Sequence, residues 1–188
     1  MKKRIVAISA AAFFCANTFA ATQGTEDSDA SSGSVDITLS VASTIVAKNF
    51  DDIPLDASSA IAGQPIASSD PFCVGGVGFA QYDVAFASAN GTTAPTPAAE
   101  AVAPFELINN SDRISYEVGF ANDAAAASSS VDADGTGAIA GTFAKAGDLT
   151  CSGDNAKLFV SVPADQWGST TESGDYTDTL TVTVSIAD

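Results

Sequence analysis

Few residues in this chain have the types and spacing needed for chemistry. Histidine is absent from all 188 positions, which removes Ser–His–Asp triads, Cys–His pairs and imidazole metal ligands together. Carboxylates are abundant, with 23 Asp and Glu against seven Lys and Arg. Asp51 and Asp52 are adjacent, but neighbours on a strand point to opposite faces, so a glycosidase-type acid pair is not expected there. Gly75-Gly76-Val77-Gly78 lacks the lysine and following helix of a phosphate cradle. The stretch Asp132-Ala133-Asp134-Gly135-Thr136-Gly137 begins like a calcium loop. Its twelfth position is Phe143, where that loop needs a bidentate glutamate, and an acidic hairpin loop is the better description. Trp167, the sole tryptophan, has the type to stack on a sugar ring, although a lone aromatic in a sandwich more often packs in or at the rim of a core. The expectation is a protein with no catalytic residue, no metal site and no cofactor.

The cysteines point to structural chemistry. Met1-Lys2-Lys3-Arg4, the apolar run Ile5 to Phe14 and the small residues Thr18 and Ala20 have the pattern of a secretory signal peptide, residues 1–20, cut after Ala20. The apolar run is too short to span a bilayer, so no membrane insertion is expected after cleavage. Cys15 leaves with that segment. Cys73 and Cys151 remain, an even pair in an oxidising compartment, and they are expected to form one disulfide across 78 residues of chain. They lie too far apart for a CxxC redox pair. Loss of Lys2, Lys3 and Arg4 moves the formal charge from −16 to −19 over the remaining 168 residues, a length that suits one domain. A surface so acidic repels nucleic acid and anionic lipid, and phosphate-backbone binding is excluded on that ground.

The elements that hold these residues are read from period and punctuation. Residues 21–34 are small, polar and acidic and form a flexible leader. From there Val35, Ile37, Leu39 and Val41 alternate with Asp36, Thr38, Ser40 and Ala42, the period of a half-buried strand over 35–43. Thr44 to Leu55 is a second extended segment that ends around Pro54, and 56–71 has loop composition. Phe72-Cys73-Val74 is expected to be a short buried strand followed by a Gly75-Gly76 turn. Gln81–Ala87, Phe105–Ile108, Ile114–Phe120 and Lys157–Pro163 are further strands, and Asn109-Asn110-Ser111-Asp112 supplies hairpin chemistry. Residues 88–103 and 121–141 are expected to be loops. Tyr176 to Ile186 closes the chain with Leu180, Val182, Val184 and Ile186 on one face. About seven or eight short strands without an amphipathic helix predict an all-β sandwich, its body over 44–188.

Several segments, taken in order, carry a resemblance. They are the alternating strand after the signal peptide, Asn49-Phe50-Asp51-Asp52-Ile53-Pro54-Leu55, Asp70-Pro71-Phe72-Cys73-Val74 and Ile114-Ser115-Tyr116-Glu117-Val118. Cys151, Ala156 to Ala164 and the ending Gly174-Asp175-Tyr176-Thr177-Asp178-Thr179-Leu180 complete the set. This order resembles bacterial fimbrial major subunits of the alternate (colonization-factor-like) chaperone–usher class. The ending is also similar to spore coat protein U-like pilins. The resemblance implies an incomplete immunoglobulin-like sandwich, completed first by a periplasmic chaperone and then, at an outer-membrane usher, by the N-terminal strand of the next subunit. Val35, Ile37, Leu39 and Val41 would be the donor strand. Leu180, Val182, Val184 and Ile186 would border the acceptor groove and bind the chaperone. The chain would be a homopolymeric pilin on the surface of a Gram-negative bacterium, supporting adhesion or biofilm contacts. The acidic leader is longer than in such subunits, where the donor segment starts near the mature N-terminus. The alternative reading of the residues is a self-contained secreted β-sandwich that binds a glycan or surface ligand as a monomer, with 35–43 its first strand.

Overall fold

The computed structural model describes residues 23–24, 26, 29–94 and 103–187. The signal segment 1–20 lies outside them. The chain divides into two units, residues 1–40 and 41–188. In the first unit the described residues contain no named strand, and Val35, Ile37 and Leu39 are 71%, 91% and 85% exposed.

In the second unit, ten strands and one helical turn are found among the described residues: β1 Thr44–Lys48, β2 Ile66–Val77, β3 Gln81–Ser88, β4 Glu106–Asn109, β5 Asp112–Ser115, β6 Glu117–Ala121, β7 Val131–Asp132, β8 Phe143–Ala144, β9 Ala156–Val162, α1 Ala164–Trp167 and β10 Leu180–Ile186. One antiparallel sheet has the order β1-β2-β9-β6-β7, a second β10-β3-β8, and β4 and β5 form a hairpin. The expected all-β sandwich is what the chain forms.

Alternation explains which faces meet. On β9, Ala156, Leu158, Val160 and Val162 are buried while the residues between them are half-exposed. On β3, Tyr82, Val84 and Phe86 are buried from the other side. Phe72, Val118 and Phe120 complete the core, and Phe120 packs edge-on against Phe143 at 4.7 Å between ring centroids. Each such side chain contributes about 1.5–3 kcal/mol, which is how a domain with so few long-range ion pairs holds together. The β4–β5 hairpin turns through Asn110 and Ser111, with Asn110 in the left-handed region at φ 53°, as the Asn-rich spacing predicts.

Three segments differ from the sequence reading. Residues 66–71, expected as loop, are the first half of β2, where they pair with β9 from Ile66↔Val162 to Phe72↔Ala156. Gly75-Gly76 is not a turn but the last part of β2. A side chain at Gly75 would run into the Asp148 carbonyl, and Gly76 has φ 154° with the Thr44 carbonyl against it, so both glycines serve close backbone approach. The segment 121–141 carries the short β7, whose Phe120↔Val131 pairing adds a rim strand to the larger sheet. The single turn α1 after Pro163 was also unforeseen.

Cys73 and Cys151 form the expected disulfide, with Cα atoms 5.7 Å apart. It ties β2 to the loop before β9. Asn155 reinforces the same join by accepting from the Val74 N–H and donating to the Val74 carbonyl, each at 2.9 Å.

Candidate functional site

The site is a groove on the open side of the sandwich, and its first wall begins where β1 ends. Asn49 adopts φ 69° and its amide donates to the Asp154 carboxylate at 2.9 Å, which turns the chain away from β2. Residues 50–57 then run on outside any strand ladder and include Pro54, which has no N–H to offer one. The Asp51 N–H is taken by Asp70 Oδ2 at 3.1 Å. Asp70 is 4% exposed, and burial, then the neighbouring Asp51 and Asp154, push its carboxyl above the usual range against that hydrogen bond.

The second wall is β10 with the residues that lead into it. Asp178 Oδ2 accepts from the Ser88 hydroxyl and the Tyr116 hydroxyl, both at 2.6 Å, and Oδ1 accepts from the Asn90 N–H at 3.2 Å. Burial first, and Asp178 second, raise the Tyr116 phenol above its ordinary value. Two residues earlier, the Tyr176 hydroxyl donates to Asp112 Oδ2 at 2.6 Å. Asp112 also accepts from the Thr171, Glu172 and Arg113 N–H groups, and these bonds, the one from Tyr176 foremost, hold its carboxyl down at about 2. Thr177 exchanges both backbone hydrogen bonds with Ile108 of β4. The Tyr176-x-Asp178 pattern therefore fixes the approach to β10 from both sides.

β10 pairs only with β3 among the described residues and stands at the end of its sheet. A cavity of about 470 Å³ lies between residues 50–55 and the first part of β10, lined by Ile53, Leu55, Tyr116, Val160, Leu180 and Val182, among others. A second cavity of about 680 Å³ continues the first past the start of β10, sharing Asp52, Ile53, Leu55, Leu107 and Asp178 with it and adding Val162, Trp167 and Tyr176. The inner face of β9 contributes Leu158 and Val160 to the floor of the first cavity and Val162 to that of the second.

Of the residues singled out from sequence, Leu180 and Val182 line this groove, whereas Val184 is half-buried against the core and Ile186 ends the strand half-buried. Val35, Ile37, Leu39 and Val41 are exposed, the last by 52%. Asp51 and Asp52 are not on a strand, and both border the first cavity. Trp167 is a rim residue: its ring packs on the core and its Nε1–H donates to the Gln64 carbonyl at 3.0 Å. In the calcium-like loop, Asp134 Oδ1 accepts from Thr136 N–H, Thr136 Oγ1 and Ala138 N–H, so that carboxylate is engaged in its own turn. No group of three or more ligating side chains is placed to hold a metal ion among the described residues. Nor is any helix there long and apolar enough to cross a membrane. The wall at 50–57 and the anchoring role of Asp178 escaped the sequence reading. Their signals are Pro54, which sequence alone marks only as the end of an extended segment, and the Gly-Asp-Tyr-x-Asp ending, which it marks only as part of a resemblance.

No family model, curated protein or solved structure matches this chain.

Proposed function

We propose that this chain is a structural subunit of a surface fimbria, an incomplete immunoglobulin-like sandwich that polymerises by accepting the N-terminal strand of a neighbouring copy. The observation that carries the reading is a matched pair. An apolar groove runs along the first part of β10, where Leu180 and Val182 line it, and the same chain carries an exposed, alternating apolar segment. Val35–Val41 and Leu180–Ile186 are both seven residues long. An inserted strand would bond to the β10 edge through its backbone and set alternate side chains on the β9 floor, which is β-augmentation. Four such side chains would contribute roughly 6–12 kcal/mol before the cost of association. A periplasmic chaperone and an outer-membrane usher are the partners this assembly would need, and adhesion or biofilm contact would be its use. The exported, cell-surface location belongs to the same proposal, as does the absence of enzymatic activity.

Leu39→Asp in the full exported chain is the test. It places a charge in the donor face, at a residue that is 85% exposed and outside the packed core. The wild-type chain is expected to form ladders of oligomers, and the variant to stay monomeric. A synthetic peptide of residues 33–44 should bind that monomer and raise its melting temperature. Two monomeric proteins of equal melting temperature, both indifferent to the peptide, would defeat the proposal. The ligand-binding monomer would then stand, with Trp167 and Tyr176 at the far end of the groove as its aromatic platform.

A further inference from the structure

We infer that strand insertion into the groove is held back by like charge and released by salt, an inference that rests on the donor-strand reading above. The groove has an apolar floor but an acidic rim. Asp51, Asp52, Asp56 and Asp175 are exposed along its two cavities, and half-buried Asp178 joins them at the start of β10. No Lys or Arg of the described residues lines either cavity. The cations are used elsewhere: Lys48, Lys145 and Lys157 donate to the carbonyls of Leu149, Gly76 and Ala126, and Arg113 pairs with Glu106 at 2.8 Å. Nothing on the rim neutralises its five carboxylates.

The donor is acidic too. Asp36 sits between Val35 and Ile37, so period-two alternation turns it away from the floor and leaves it beside the rim. The leader before it adds Glu26, Asp27 and Asp29. Five rim charges at about 10 Å from Asp36 in water weaken binding roughly tenfold when the Debye length is ~30 Å, and that penalty almost vanishes when it is ~3 Å. The leader steepens the dependence. This gives a physical role to its acidity, which no packing requires.

The test titrates the full exported Leu39→Asp chain, whose own donor is disabled, with three capped peptides in about 10 mM and about 1 M NaCl. The peptides are residues 33–44, residues 33–44 with Asp36→Asn, and residues 23–44. Peptide 33–44 is expected to bind about tenfold tighter at high salt. The longer peptide should show a steeper gain, and the Asp36→Asn peptide little or none. Asp51→Asn, Asp52→Asn and Asp175→Asn combined in the chain should tighten low-salt binding and flatten the dependence. Equal affinity for peptide 33–44 at both salts would overturn the gate while leaving the donor-strand proposal standing. A salt gain retained in full by the Asp36→Asn peptide would also overturn it, assigning the gain to apolar contact. Absence of binding by every peptide at both salts would overturn the gate and the donor-strand reading together.

Discussion

Replacing Asp178 by alanine is expected to loosen the groove wall where β10 begins, at a cost that can be worked from its three donors. The Ser88 and Tyr116 hydroxyls and the Asn90 N–H all bond to this one carboxylate. Hydrogen bonds to a charged group contribute about 1.5–3 kcal/mol each, and relief of Asp178 desolvation together with new water at half-exposed Asn90 offsets a large part of the sum. The Tyr116 hydroxyl has no such relief, because the residue is 5% exposed. Leaving it unpaired adds about 1–3 kcal/mol. A net loss of roughly 3–4 kcal/mol follows for Asp178→Ala. Tyr116→Phe removes one donor but leaves the carboxylate two others, and should cost only about 1–1.5 kcal/mol. The double variant should cost less than the sum by about 1.5 kcal/mol, since the unpaired hydroxyl no longer exists. Urea unfolding of the oxidised proteins reads all three, with an unchanged slope as the check that only stability moved. A loss under about 1 kcal/mol for Asp178→Ala, or additivity within about 0.5 kcal/mol, would refute the claim that this network holds the wall.

Two further outcomes follow from the same structure. The Asp112 carboxyl is held at about 2 in the folded chain by Tyr176 and by the backbone of Thr171, Glu172 and Arg113, below an unfolded value of about 3.9. Its contribution is therefore complete above about pH 4 and is lost as pH falls through about 2; the difference in melting temperature between wild type and Asp112→Asn should shrink across that window, and a constant difference would contradict the assignment. Removing the disulfide by Cys73→Ala with Cys151→Ala frees a closure of 78 residues, for which the chain-entropy relation gives about 4.5 kcal/mol; a loss under about 1 kcal/mol in urea would show that the join is carried by Asn155 and β2–β9 pairing instead.

What the sequence revealed and what it hid divide along physical lines. The face of β3 was legible because Tyr82, Val84 and Phe86 alternate with a period of two, whereas on β9 the apolar Phe159 interrupts the alternation and only packing shows that Leu158, Val160 and Val162 face inward. The disulfide was legible because an even pair of cysteines, in a chain whose start reads as a signal peptide, has few other expected uses. Residues 66–71 were misread because Ala67, Ser68, Ser69 and Pro71 have loop composition, and only pairing with β9 makes them a strand. Gly75-Gly76 was misread because a glycine required for close backbone approach looks, in one dimension, like a glycine required for a turn. The groove itself has no local signature. Its wall is placed by Asn49, which bonds to Asp154, and by Asp70 of β2, which holds the Asp51 N–H, and those contacts join residues 105 and 19 positions apart.

An open groove of this kind creates a problem that the composition answers. The edge of β10 that is unpaired among the described residues is a template for indiscriminate strand addition, and the proposed donor segment, exposed at Ile37 and Leu39, would invite the same error from the other side. A fold of this size cannot remove either feature if both are needed for assembly. It can place charge around them. On the proposed docking the five rim carboxylates and Asp36 would lie beside the apolar contact rather than within it, and would act on encounter at distances where the apolar attraction has not begun. The apolar contact, once made, outweighs a like-charge penalty of about one factor of ten. On that proposal the acidity would cost an assembled fibre little while slowing every unguided approach. On this argument the most informative charges in the chain are the few that border the groove, and the net charge of −16 matters chiefly as their background.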